Sequence, residues 1–146
     1  MSEKVKKEIF EWIKVFALAI VFAFVITQFI KPTLVRGNSM YSTLEEGDYL
    51  IINRMSYKFG EPKRGDIIVF ESDLQQDDGT NKDLVKRVIG VSGDTIKIKD
   101  SKVYVNGKEL NEPYIHDEIT EGDIDTVVPE NSVFVLGDNR EISLDS

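Results

Sequence analysis

From Trp12 to Ile30 the chain is apolar apart from Lys14, Thr27 and Gln28, and this stretch limits the possible folds more than any other. As a helix rising 1.5 Å per residue it spans about 28 Å, close to the hydrocarbon core of a bilayer. It is apolar all round, without the polar stripe of a helix lying against a soluble core. Lys14 lies near one end, where it can snorkel, and Trp12 suits the interface. Bulky residues follow it (Gln28-Phe29-Ile30-Lys31-Pro32) with no small-x-small site, so it reads as an uncleaved signal anchor rather than a cleaved signal peptide. Lys4, Lys6 and Lys7 precede it, and the positive-inside rule then puts the N-terminus in the cytoplasm. The expected organisation is a cytoplasmic N-terminus over residues 1–11, a single pass through the plasma membrane over 12–30, and an extracytoplasmic domain over 31–146.

At 146 residues the chain has room for one soluble domain with at most a small appendage. It lacks cysteine, so neither a disulfide framework nor thiolate chemistry is available. The single histidine, His116, sits in an acidic, turn-like run and reads as a surface residue rather than part of a triad. The formal net charge is −8, and residues 1–30 carry four Lys against three Glu, so the acidity belongs to the rest of the chain. That argues against a nucleic-acid partner, which needs clustered Lys and Arg. It also gives the soluble part no electrostatic pull toward an anionic membrane. Membrane lipid is met through residues 12–30 alone.

Beyond Thr33 the pattern is β. Short β-branched and aromatic runs recur at Tyr49–Ile52, Asp66–Phe70, Leu84–Val91, Thr95–Ile98, Lys102–Val105 and Val133–Leu136, separated by Gly, Asn and Asp turns. Asn106-Gly107 after an alternating run signals a type I′ hairpin. Residues 73–81 read as an exposed loop, and the acidic residues 109–126 as a surface excursion. The expectation is one antiparallel β domain with a small β extension at about 99–127.

Two places in this domain suggest chemistry. Between the anchor and the first long strand lies Gly37-Asn38-Ser39-Met40, closed by the turn Gly47-Asp48. Gly37 lets another backbone approach closely, and Ser39 offers a hydroxyl, although a serine-rich entry loop accounts for the same residues. Strand Leu84–Val91 carries Lys86-Arg87 in apolar surroundings. Taken alone, an edge lysine that discourages strand pairing is the simpler account. Alternation leaves the matter open, since Lys86 shares a face with Leu84 and Val88, and Arg87 with Val85 and Ile89. A buried lysine can nevertheless serve as a base if desolvation lowers its pKa from about 10.4 by roughly 2–3 units. It would then take the proton of Ser39 as that oxygen attacks a carbonyl, with a backbone N–H, most simply that of Ser39, holding the oxyanion.

Four boxes occur in one order behind the anchor: Ser-Met-x-x-Thr-Leu, Arg-Gly-Asp-Ile-x-Val-Phe, Lys-Arg-Val-Ile-Gly-x-x-Gly-Asp and Gly-Asp-Asn-Arg-x-x-Ser-x-Asp-Ser. Together they resemble bacterial type I signal peptidase of the short Gram-positive kind. The resemblance implies an all-β, antiparallel signal-peptidase-type domain, related to the LexA-like protease core, behind one transmembrane helix. It implies a serine endopeptidase, without cofactor or metal, that cleaves signal peptides from exported preproteins after small-x-small motifs through an acyl-enzyme. Ser39 then matches the nucleophile and Lys86 the general base. Ser143 matches the serine that orients the lysine, Arg87 and Asp138 a bracing pair, and Asp145 an acidic residue supporting the last box. The substrate would lie extended between Val35-Arg36-Gly37-Asn38 and Asp83-Leu84-Val85, with Met40 nearby. Such strand addition suits an unfolded cleavage region.

Some positions depart from the family. Ser42 and Ser92 stand where proline is usual, each at a cost below about 1 kcal/mol through unfolded-state entropy. Gly37 has no hydroxyl to add as an oxyanion donor. Relatives also continue past Ser146 with an arginine partner for the residue matched by Asp145 and with closing strands, so the chain looks C-terminally truncated. The alternative to an enzyme is therefore an inactive member acting at most as a signal-peptide-binding module. A self-cleaving repressor of the LexA kind is opposed by the anchor, the acidic charge and the lack of a DNA-binding domain.

Overall fold

A computed structural model describes residues 2–76, 79–116 and 119–143. Its backbone divides into two compact units: Met1–Thr33 with Ile51–Gly60, and Leu34–Leu50 with Glu61–Ser146.

The first unit is built on helix α1, Glu3–Phe29, none of whose residues is buried. The helix begins well before the apolar stretch because Ser2 caps it, its side chain accepting from the Val5 N–H, with Glu3 in the first turn facing the helix dipole. Pairs Glu3–Lys6 and Glu11–Lys14, each at 2.9 Å, carry the polar first turns. Lys14 also lies 4.5 Å over the Phe10 ring. The helix stops at Ile30, which is extended. Pro32 accounts for the stop, since it disfavours helical geometry at Lys31 and cannot continue the ladder. The chain enters β1 (Ile30–Leu34), which pairs with β2 (Tyr49–Asn53) as a two-stranded ribbon. The Arg54 N–H then donates to the Phe29 carbonyl at 2.9 Å. A four-residue helix, α2 (Ser56–Phe59), follows; the Asn53 side chain accepts from Met55 and Ser56 N–H ahead of it.

The second unit is antiparallel β. Strands β3 (Ile67–Gln75), β4 (Asn81–Val91) and β9 (Val133–Leu136) form one sheet in the order β3-β4-β9. Strands β5 (Thr95–Lys99), β6 (Lys102–Val105), β7 (Lys108–Glu109) and β8 (Ile124–Val127) form another, in the order β7-β6-β5-β8. The two faces of β4 have different neighbours. Val88 joins Ile68 and Val135 in one cluster, while Ile89 joins Ile96, Ile98, Val103, Val105, Val128, Phe134 and Leu136 in the larger one. Gly90 is what allows the second contact: a Cβ there would meet Ile96 Cδ1 at 2.5 Å and Val128 Cγ2 at 3.2 Å.

The strands foreseen from the sequence are present, with two extensions. Residues 73–81, expected as an exposed loop, are strand at both ends, because β3 runs to Gln75 and β4 starts at Asn81. Exposed side chains hid this arm; cross-strand bonds such as Asn81 Nδ2 to Glu71 Oε1, 2.8 Å, and Ser72 Oγ to Lys82 O, 2.8 Å, form it. Residues 109–126, expected as a surface excursion within the small β extension, hold a 3-10 turn at Pro113–Ile115 and the start of β8, which pairs with β5. The hairpin at Asn106-Gly107 has φ of 52° and 76°, the signs of a type I′ turn.

Candidate active site

Lys86 sits on β4 directly across from Ile68 of β3. It shares a face with Val88, whose neighbours Ile68 and Val135 are apolar. The lysine is 2% exposed, which sets aside the exposed-edge account. Its Nζ is hydrogen-bonded to Ser143 Oγ, which lies beyond the end of β9.

Ser39 is half-buried in a loop whose ends are tied together. The Val35 N–H donates to the Asp48 carbonyl (2.9 Å) and the Gly47 N–H to the Val35 carbonyl (3.0 Å). Gly37 and Gly47, with φ of 84° and 94°, give the loop its left-handed turns. The loop is pinned by Gly137-Asp138-Asn139-Arg140, the box that follows β9. The Asn139 N–H donates to the Ser39 carbonyl at 3.0 Å, and Thr43 Oγ1 donates to Asp138 Oδ2 at 2.5 Å.

Gly137 is the point where the pieces converge. A Cβ built on it would come within 2.6 Å of Ser143 Cβ, and closer still to Ser143 Oγ and the Ser39 carbonyl oxygen. Only a residue without a side chain therefore lets the Ser39 backbone and the hydroxyl that holds Lys86 meet there. Among the described residues no hydrogen bond links Ser39 Oγ to Lys86 Nζ. Such bonds often tighten only when substrate binds.

Arg87 and Asp138, matched by resemblance to a bracing pair, are joined by two hydrogen bonds. Asp138, fully buried, accepts from Arg87 Nε (2.8 Å) and Nη2 (2.6 Å), and Arg87 Nη1 reaches the Gly65 carbonyl at 3.1 Å. Hydrogen bonding to Asp138 raises the Arg87 pKa against the opposing effect of burial, so the guanidinium stays charged. The Arg87 guanidinium lies 4.0 Å over the Tyr114 ring. Tyr114 in turn donates its hydroxyl to Glu112 Oε1 at 2.9 Å. Burial first, and then the neighbouring Glu112 carboxylate, push its phenol well above the ordinary value.

The residues expected along a bound peptide differ in exposure. Arg36, Gly37, Asn38 and Asp83 are exposed, Leu84 and Val85 half-buried, and Val35 buried. β9 runs beside β4 only from Arg87 onward, whereas β3 pairs with it already at Leu84 and Val85. Met40, expected near the peptide, is 2% exposed. Asp145 lies outside the described residues. His116 is exposed and in left-handed geometry. Among the described residues no group of three or more His, Cys, Asp or Glu side chains is placed to hold a metal.

Several residues of the site were not singled out from the sequence. Gly137, Thr43 and Arg140 lay inside the quoted boxes, but spacing alone gave them no task. Glu112, Tyr114 and Thr120 lie in the acidic run whose lack of periodicity offered no signal.

Comparison with known proteins bears on this arrangement. Residues 9–146 match the family described as "Signal peptidase, peptidase S26". The chain is 40% identical to a signal peptidase I of Bacillus licheniformis over 156 residues, covering 99% of this chain and 81% of the relative. It is 39% identical to a signal peptidase IB of Staphylococcus aureus strain COL over 160 residues, covering 97% and 81%. A crystal structure of a signal peptidase I from Enterococcus faecalis aligns with 34% identity and a TM-score of 0.49, over 60% of this chain and 85% of that one.

Proposed function

This chain belongs to the signal peptidase family of S26 peptidases, and from that premise we propose that it cleaves signal peptides from exported preproteins through a Ser39–Lys86 dyad. The observation that carries the proposal is a lysine 2% exposed in an apolar strand face, bonded to Ser143 and brought to the Ser39 backbone across Gly137.

The mechanism then follows. The signal peptide's cleavage region lies extended between residues 35–38 and 83–85, where backbone pairing is indifferent to sequence and small side chains are selected. Lys86 Nζ, acting as general base, takes the proton of Ser39 Oγ as that oxygen bonds to the scissile carbonyl carbon. The negative charge moving onto the carbonyl oxygen is met by a backbone N–H, most simply that of Ser39. As the C–N bond breaks, Lys86 returns the proton to the leaving nitrogen, and the mature protein departs. An ester on Ser39 remains. Water, deprotonated by Lys86, hydrolyses it and regenerates both groups. Residues 12–30 hold the enzyme in the membrane where its substrates emerge, with Lys4, Lys6 and Lys7 on the cytoplasmic side.

The test is to incubate the full chain in detergent micelles with a preprotein and read both the product and the enzyme. The expected result is a new N-terminus directly after a small-x-small motif, with an acid-quenched ester of the signal peptide on the tryptic fragment containing Ser39. A cut elsewhere, or an ester on another residue, contradicts the mechanism.

A further inference from the structure

We propose that Glu112, a residue of the segment between β7 and β8, is a positioning residue for the peptidase reaction. Its carboxylate aims Arg140 at the Gly137 carbonyl and so fixes how Ser39 meets Lys86. The inference rests on the dyad proposed above.

Arg140 and Glu112 are 1% and 6% exposed at their side chains. Arg140 Nη2 donates to Glu112 Oε1 at 2.5 Å and Nη1 to Oε2 at 3.2 Å, a two-point grip that sets the plane of the guanidinium. Nη1 also reaches Thr120 Oγ1. With its plane set, Arg140 directs Nε onto the Gly137 carbonyl at 2.9 Å. Gly137 is the crossing point between Ser143, which holds Lys86, and the Ser39 carbonyl. Arg140 thus controls the peptide unit on which the dyad's separation depends, and Glu112 controls Arg140.

Tyr114 joins this pair to the other one. Its hydroxyl bonds the same Glu112 carboxylate, and its ring lies under Arg87, which grips Asp138. Both ion pairs that frame the Gly137–Arg140 segment therefore refer back to residues 112–114. Stability alone is a poor account of such a pair, since a buried ion pair contributes little compared with apolar side chains of the same volume. Direction is the better account, because an apolar pair would remove the hydrogen bond that Arg140 Nε donates to the Gly137 carbonyl. A shift of about 1 Å between reacting groups is enough to lower a rate about 100-fold.

The experiment compares full-length wild type, Glu112→Gln, Tyr114→Phe and Ser39→Ala in micelles, using a small-x-small peptide as substrate. Glu112→Gln keeps the shape and removes the charge. The expected result is a kcat lower by about 10–100-fold with KM within about 2-fold. In the Ser39→Ala background, Glu112→Gln should leave the Kd and stoichiometry for the same peptide unchanged. Tyr114→Phe keeps the ring under Arg87 and removes one bond to Glu112, so kcat should fall about 2–5-fold with binding intact. If Glu112→Gln does not fold, this second variant decides. Wild-type kcat in the folded variants, or loss of peptide stoichiometry in parallel with kcat, overturns the positioning role. A wild-type chain that does not cleave, or cleavage that survives Ser39→Ala, overturns the dyad itself and is seen separately.

Discussion

At the scale of single residues, the site depends on an absence: the missing side chain of Gly137. Its φ is ordinary, so the constraint is space and not backbone freedom, in contrast to Gly37 and Gly47 with their positive φ. Gly137→Ala would force either Ser143 or the Ser39 peptide to move, and the obstruction at the latter is backbone, which cannot swing aside. The expected outcome is a loss of cleavage of at least about 100-fold, the size of effect that a misplacement near 1 Å produces. Steady-state kinetics on the full chain checks it, with peptide binding in the Ser39→Ala background as the control for folding. Gly90, also barred by its neighbours, should behave differently. There the obstruction is the Ile96 and Val128 side chains of the core, so Gly90→Ala lowers stability by overpacking rather than acting on the reaction first.

At the scale of elements, the sequence was informative wherever a strand is buried on a face. The ranges of β5, β6 and β9 were readable to within a residue, because the runs at 95–98, 102–105 and 133–136 alternate or are continuously apolar. The outer parts of β3 and β4 and all of β8 were not, because their side chains are largely exposed and hydrogen bonding alone makes them strands. Ser39 and Lys86 drew attention by residue type alone, whereas Ser143, Arg87 and Asp138 were singled out only through the boxes, which carry family information that periodicity lacks. Glu112 and Tyr114 reach the site through tertiary packing, which no local pattern encodes. One link between elements makes a prediction about acid. Asp94, in the β4–β5 turn, accepts from Arg64 Nε (2.7 Å), Val91 N–H (2.8 Å) and Asn106 Nδ2 (2.9 Å), tying that turn to the approach to β3 and to the β6–β7 hairpin. The Arg64 hydrogen bond, followed by those from Val91 and Asn106, holds its carboxyl at about 2, below the ordinary 3.8. The folded state therefore binds this proton less readily than the unfolded state. The stabilisation is complete above about pH 4 and is lost as the pH falls through about 2. Arg64 is nearly half exposed, so solvent screens its part. Asp94→Asn is expected to cost about 1–2 kcal/mol at neutral pH, mostly from the bonds left unmade in the turn. The difference in melting temperature from wild type should shrink steadily between pH 4 and pH 2. A difference that stays constant across that window contradicts the assignment.

At the scale of the whole molecule, the chain combines one fully exposed apolar helix with an acidic antiparallel β unit that carries every group of the proposed site. The helix is long and apolar enough to cross a membrane, and the β unit brings Ser39, Lys86, Gly137 and Ser143 together from three separate parts of the sequence. That convergence is what a serine peptidase without histidine requires, and it makes Lys86 the residue on which the account stands. The most direct measurement is single-turnover cleavage of a preprotein by the full chain and its Lys86→Ala variant, with Ser39→Ala as the reference for complete loss. The account predicts that Lys86→Ala loses at least about 1,000-fold and matches Ser39→Ala, while still binding the signal peptide with wild-type affinity. Cleavage by a folded Lys86→Ala chain within about 10-fold of wild type would mean that another group takes the proton from Ser39, and the central claim would fall.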